Sequence, residues 1–243
     1  MRGGAAFPVR LRFQELGKVA WISHRDAARA FERAFRILEL PIAFTEGFSP
    51  RPKVSFGLAL SVGMSSVAEY LDVVFTTEVD LDALPAACSD ALPEGLDVTG
   101  AALLADRAPA LQESVTEVAY RAAVLDGGAP VDAEELRAAI TAALARPTLD
   151  APRTRKGRTV VENLAPAVRD CSVVRDDTDQ PVLVLACATQ PLSVRPSEVL
   201  AAVAPQWQLG HVQRTHQWIE RAGMRYEPLI ADAPNDAAQV CAS

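Results

Sequence analysis

Between Val9 and Leu104 the apolar spacing switches from every second residue to every third or fourth and back, twice. This switching constrains the fold more than any other feature of the chain. Val9, Leu11 and Phe13, then Val19 and Trp21, alternate as a half-buried strand does, with a bend expected at Gly17-Lys18. Ser23 offers an N-cap oxygen, and Asp26 occupies the capping-box position usually held by Glu. Over residues 24–38, Ala27, Ala30, Phe31, Ala34, Phe35, Ile37 and Leu38 gather on one helical face. Arg25, Arg29, Arg33 and Arg36 lie on the opposite arc. Pro41 ends the helix. Strands are expected over 42–44, 54–60, 68–75 and 96–104, with a second helix over 80–92.

The order β-α-β-β-α-β is that of the ferredoxin-like fold. It can be written again for the second half: strands over 116–124, 159–164, 182–188 and 212–220, helices over 132–145 and 196–204. The predicted fold class is therefore α+β, two tandem ferredoxin-like (βαββαβ) units with antiparallel sheets. The expected boundaries are 1–106 for the first unit and 107–225 for the second, with 226–243 a disordered tail. Pro109 interrupts the join.

The net charge of −7 argues against a protein that coats nucleic acid indiscriminately. The average conceals an asymmetry: residues 1–60 carry ten Lys/Arg against five Asp/Glu, whereas residues 61–150 carry four against sixteen. A basic first quarter followed by an acidic block describes a molecule with a polarised surface, or one whose acids merely keep its back solvated. Cys88, Cys171, Cys187 and Cys241 are isolated and form no CxxC, so a zinc finger or iron–sulfur site held by this chain alone is not expected. Cys88 and Cys187 read as small buried hydrophobes. No apolar run reaches spanning length, and no leader pattern precedes residue 7, so a cytoplasmic, non-membrane protein is expected. No P-loop, nucleophile elbow or dinucleotide fingerprint is present.

Chemistry concentrates in two places in the first half. The segment Thr45-Glu46-Gly47-Phe48-Ser49-Pro50-Arg51-Pro52-Lys53 sets an aromatic and two cations on a loop that its prolines stiffen. Phe48 either stacks on a base while Arg51 and Lys53 hold the backbone, or plugs a core. His24 opens a helix, where the dipole favours the neutral ring. It either shapes the strand-to-helix turn, binds a ligand, or acts as a general base. Arg25, Arg29 and Arg33 either face an anion or pair with nearby acids on a solvated face. Glu69 and Asp72 read as structural partners of basic residues. Trp207, Trp218 and Tyr226 read as core or interface residues, and His211 and His216 are not at metal spacing.

Three blocks then carry a family resemblance: Ser23-His24-Arg25-Asp26 with Arg29 and Phe31-Glu32-Arg33-Ala34; Gly47-Phe48-Ser49-Pro50-Arg51-Pro52-Lys53-Val54-Ser55; and Gly63 with Glu69-Tyr70-Leu71-Asp72. In order and spacing they resemble the radical S-adenosylmethionine-linked proteins, an uncharacterised domain fused to, or encoded beside, radical S-adenosylmethionine enzymes. The resemblance is strong over about 9–104 and continues through Arg153 to Val160 and Arg214-Thr215. It implies a radical S-adenosylmethionine enzyme as partner; from the residues themselves, no cofactor or metal of the chain's own is expected.

The reading that follows is a non-catalytic partner that binds RNA, tRNA or ribosomal RNA, and presents it to that enzyme for modification or processing. The expected RNA- or anion-binding residues are His24, Arg25, Arg29, Arg33, Phe48, Arg51, Lys53, Arg155, Lys156 and Arg158. One alternative is a metal-independent endoribonuclease of Cas6-like fold, with His24 as base and Lys53 or Arg51 stabilising the phosphorane. Another is a pure protein–protein adaptor.

Overall fold

In the computed structural model the described residues are 6–105, 108–155 and 157–232. The chain divides into two compact units, one of Met1–Val115 with Gln217–Ser243 and one of Thr116–His216. The fold is mixed α+β, with antiparallel strand pairing and six α-helices among the described residues.

The first unit comprises β1 (Phe7–Glu15), a 3-10 turn (Gly17–Trp21), α1 (His24–Ile37), β2 (Val54–Phe56), β3 (Met64–Phe75), α2 (Leu84–Ala91), β4 (Leu96–Leu103) and α3 (Leu111–Ser114). β1 is central, with β4 on one side and β3 on the other, and β2 pairs the end of β3. The register sets Val9 opposite Val73 and Leu11 opposite Leu71. Because the side-chain period of a strand is two, Val9, Leu11 and Phe13 share one face with Leu71, Val73 and Phe75. Phe31 and Phe35 of α1 and Leu84 and Cys88 of α2 cover that face, forming one buried cluster. Phe13 meets Phe31 edge-on at 4.8 Å.

The strand expected over 54–60 is shorter than that and stops at Phe56. Gly57 lies where a Cβ would stand 2.8 Å from Leu111 Cδ2 and 3.2 Å from Tyr70 O, so a side chain there would force Leu111 of α3 to shift. Segment 42–44 contributes only the bridges Ile42 to Phe75 and Phe44 to Pro52.

The second unit comprises β5 (Glu117–Asp126), β6 (Ala129–Pro130), α4 (Ala133–Leu144), β7 (Asp150–Arg155), β8 (Arg158–Asn163), β9 (Val168–Arg175), β10 (Pro181–Ala188) and α5 (Pro196–Val203). Its sheet sets β10 between β5 and β9. The strand expected over 159–164 forms as β8, but it pairs with β7 in a separate two-stranded sheet. The place beside β10 goes to β9, which the sequence pattern did not predict. β11 (Gln208–Arg221) begins beside β5, where Gly210 faces Ala123 and Leu125.

The last residues of β11 belong to the first unit, where Gln217 Nε2 donates to Ala68 O. β12 (Met224–Tyr226) pairs with them, and α6 (Pro228–Ala231) follows. Residues 226–232, read from the sequence as the start of a disordered tail, are therefore placed elements; 233–243 lie outside the described residues. The reason is electrostatic. Arg10, on the face of β1 opposite the aromatic cluster, is fully buried. Its Nε and Nη2 donate to the Asp72 carboxylate at 2.7 and 2.9 Å, and its Nη1 donates to Asp232 Oδ2 and Pro228 O, both at 2.9 Å. Arg221 also pairs with Asp232. A buried guanidinium left short of acceptors is costly, so α6 is held in place by the charge it satisfies.

Among the described residues no helix is long and apolar enough to cross a membrane. Cys88, Cys171 and Cys187 are buried, and burial pushes their thiols up to about 11, 12 and 12.

Two measurements follow. Asp232→Ala leaves Arg10 with one carboxylate and should cost about 3 kcal/mol in urea unfolding, the low end for breaking a buried pair. Glu227→Ala removes only a half-exposed contact to Arg12 at 3.6 Å and should cost less than about 1 kcal/mol. In iodoacetamide at pH 8, Cys88, Cys171 and Cys187 should stay unmodified in the native protein and react fully in urea, because the thiolate is the nucleophile.

Candidate nucleic-acid interface

α1 begins as its sequence requires. Ser23 Oγ accepts from the Asp26 backbone N–H at 3.2 Å, capping the helix, and donates to Asp26 Oδ2 at 2.7 Å. These bonds hold the Asp26 carboxyl below its ordinary range, with Arg29 contributing. The cap fixes the turn that carries Trp21 and His24. The His24 ring is half-buried and meets Phe56 edge-on at 5.3 Å. Trp21 is 73% exposed, and one face of its ring rests on Gly63, where a Cβ would stand 3.3 Å from the indole. Gly63 also has a φ of +89°, so two constraints ask for glycine there.

The Pro-rich loop is a closed excursion from the edge of the sheet. The Ala43 N–H donates to Val74 O at 2.7 Å, and the Val74 N–H donates to Lys53 O at 3.0 Å. Both feet of the loop are thus bound to one residue of β3. The Lys53 N–H donates to Ala43 O at 2.8 Å, and the Thr45 N–H to Arg51 O at 2.9 Å. The Arg51 N–H donates to Thr45 Oγ1 at 3.0 Å. On this brace the Phe48 side chain is completely exposed, so of the two sequence readings, a plug in the core is excluded. Arg51 and Lys53 are exposed beside it, and Phe44, at the foot, is 55% exposed.

The arginine arc of α1 does not face one way. Arg29 and Arg33 line a cleft of about 450 Å³ with Ala30 and Ile37 of their own helix and Ala91, Leu92 and Pro93 at the end of α2. Asp26 lies in it too, 3.1 Å from Arg29. Arg36 lines a different cleft of about 420 Å³, together with Glu32, Glu39, Phe35, Leu40, Ile42, Phe44 and Pro52. Neither cleft is lined by Phe48, Arg51, Lys53 or Arg25. The cations expected from the sequence thus fall into three groups: Arg29 with Arg33, Arg51 with Lys53 on the loop, and Arg25, which is exposed at the first turn.

In the second unit, Arg153 is committed. It donates to the Glu198 carboxylate at 2.9 and 3.2 Å, to Glu162 at 2.9 Å and to Ser193 O at 2.8 Å, tying the β7–β8 hairpin to α5. Arg158 is exposed near the hairpin tip. Lys156 and the Arg155 side chain lie outside the described residues.

Asp72 partners Arg10, as a structural reading of it requires, and Glu69 is buried opposite Phe13 in the strand register. The residues the sequence reading missed are Arg10 and Asp232. Arg10, alternating with Val9 and Leu11 as Arg12 also does, was their only signal. Trp207, Trp218 and Tyr226 are half-buried, and Arg214 stacks over the Tyr120 ring at 5.7 Å. Among the described residues no three of His, Cys, Asp and Glu gather in a way that could hold a metal ion.

This arrangement was compared with known proteins. The family model for an uncharacterized protein conserved in bacteria, DUF2344, matches residues 9–196. No curated protein matches the chain. Among solved structures, it is similar to a chain of a Cbf5-Nop10-Gar1 complex at TM-score 0.44 and 11% identity, covering 86% of this chain and 48% of that one. It is likewise similar to a chain of the archaeal box H/ACA sRNP Nop10-Cbf5 complex, at TM-score 0.41 and 13% identity, covering 86% and 47%. The chain spans about half the length of those it matches. With the family model extending over most of its length and across both units, the chain belongs to the DUF2344 family of conserved bacterial proteins.

Proposed function

We propose that the chain is a pair of ferredoxin-like units acting as a non-catalytic RNA-binding partner. Its role is to present RNA, tRNA or ribosomal RNA, to a radical S-adenosylmethionine enzyme for modification or processing. The observation that carries the RNA reading is Phe48: a fully exposed ring, flanked by Arg51 and Lys53, on a loop whose feet are both bound to Val74. An exposed aromatic costs solvation unless something stacks on it. A braced one loses little further entropy when a base does so. Trp21 offers a second exposed ring, and Arg29 with Arg33 offer a phosphate clamp along α1. Arg25, Arg155, Lys156 and Arg158 are supporting contacts in this reading.

The enzyme partner rests on the resemblance to the radical S-adenosylmethionine-linked proteins. The β-α-β-β-α-β order of the first unit, with its sheet order β4-β1-β3-β2, supports the ferredoxin-like reading. In the second unit β5, β9, β10 and β11 take the same places, with the β7–β8 hairpin inserted after α4. His24 is held against Phe56 and serves here to shape the turn and hydrogen-bond the ligand, rather than as a base. The adaptor reading has one observation in its favour: Trp21, Phe44 and Phe48 together expose the kind of aromatic surface that protein partners also bury.

Electrophoretic mobility shift with total small RNA, at moderate salt, tests the proposal. The wild type should shift RNA, and the triple variant Arg29→Ala, Arg33→Ala, Lys53→Ala should lose the shift. Unchanged binding in that variant counts decisively against the RNA reading. Phe48→Ala should weaken binding by about 1–3 kcal/mol with little change in salt dependence, the mark of a stacking contact. Each lost phosphate contact should instead lower the salt slope by about 0.7. Co-purification with the enzyme that survives nuclease treatment, in a chain with no RNA affinity, would favour the adaptor.

A further inference from the structure

The C-terminal end of α1 uses the wrong residue for its backbone. The Leu40 N–H donates to Phe35 O at 3.1 Å and the Glu39 N–H donates to Arg36 O at 3.2 Å, the two bonds of a Schellman ending. Position Glu39 has a φ of +50°, the left-handed region that this motif ordinarily gives to glycine. Its carboxylate also stands at the negative end of the helix dipole, where a cation is favoured. Strain and electrostatics both disfavour this residue, and such outliers gather where a ligand is held.

The side chain that bears these costs lines the 420 Å³ cleft between the end of α1 and the feet of the loop. Glu32 lines it too, and Arg36 is the single cation in its lining. Of its apolar lining, Phe35 is buried, Leu40, Ile42 and Pro52 are half-buried, and Phe44 is exposed. Two carboxylates against one guanidinium, among five apolar lining residues, suit a side chain that has both an apolar stem and a positive head. Lysine and arginine lay their methylenes on apolar surface and keep the charge at the edge in this way. RNA is a poor occupant, because these carboxylates repel phosphate.

We infer that this cleft is a docking site for a protein partner's peptide segment in which a lysine or arginine stands between bulky apolar residues. The inference goes beyond the RNA reading and uses none of its residues.

The test is titration of the full chain with acetyl-Leu-Arg-Leu-amide, and with acetyl-Leu-Gln-Leu-amide as the neutral control, followed by amide chemical shifts. The arginine peptide should shift Glu39, Leu40, Ile42 and Phe44 saturably, and the neutral peptide should not. Glu39→Gln should weaken binding at least fivefold, and Arg36→Gln should strengthen it. Glu39→Gly should abolish binding and yet raise the melting temperature by about 2–4 °C, because it relieves the backbone. Equal shifts with the neutral peptide, no shift with either, or an unchanged titration in Glu39→Gln would each overturn the proposal. If Glu39→Gly disturbs the fold, Glu39→Gln decides alone. RNA binding should persist in both Glu39 variants, so the two sites fail or hold separately.

Discussion

The first unit depends on a charge buried where none is expected. Arg10 sits at the centre of a sheet with no exposed surface, and its guanidinium is satisfied by Asp72 from β3 together with Asp232 and Pro228 from the far end of the chain. A cation in that position is tolerable only if its partners are in place, so folding of the sheet and docking of α6 become one event. Burial acts against the charged form, yet the paired carboxylates outweigh it and hold the Arg10 guanidinium above its ordinary range. Residues 217–232 are therefore part of the first unit although the whole second unit separates them from β4.

On the other face of the same sheet, α1 divides the surface by charge. Its aromatic side is spent on the core with Phe13, Phe31 and Phe35. Toward α2 it presents Arg29 and Arg33 over a patch of Ala30, Ile37 and Leu92; toward the loop it presents Glu32 and Glu39 around Phe44 and Pro52. One helix thus carries a flank where two arginines outnumber Asp26 and a flank where two glutamates outnumber Arg36. A single helix can do this because successive residues step by about 100°, so Glu32 and Arg33 leave it in different directions. The same geometry splits an arginine stripe that the sequence alone suggests is continuous.

Much of the local structure of the first unit was legible in the sequence, and for local reasons. A cap, a periodic apolar face and a proline stop defined α1 to within a residue. Two prolines and a glycine between strands identified the loop, and Phe48 on it is an exposed ring. What was not legible depended on distance along the chain. β9 is an edge strand whose side chains are mostly exposed, and Arg169-Asp170 break its alternation, so it gave no apolar pattern to read. α6 is one turn long, too short for any periodicity, and is held by Arg10 from 218 residues away.

By itself, the order of residues determined the helices with strong caps, the strands with alternating faces, the stiffness of the Pro-rich loop and the membership of a family. These properties are set by neighbours within a turn or a strand, where propensity and periodicity act. Only the tertiary structure decided that Arg153 is spent on Glu198 and Glu162, and that Arg29 and Arg36 line different clefts. It alone decided that both feet of the loop rest on Val74, and that the end of the chain returns to neutralise Arg10. Each of those is a contact between residues far apart in sequence. Pairing of charges and satisfaction of backbone groups are settled by which atoms meet in space, and no local pattern encodes that meeting.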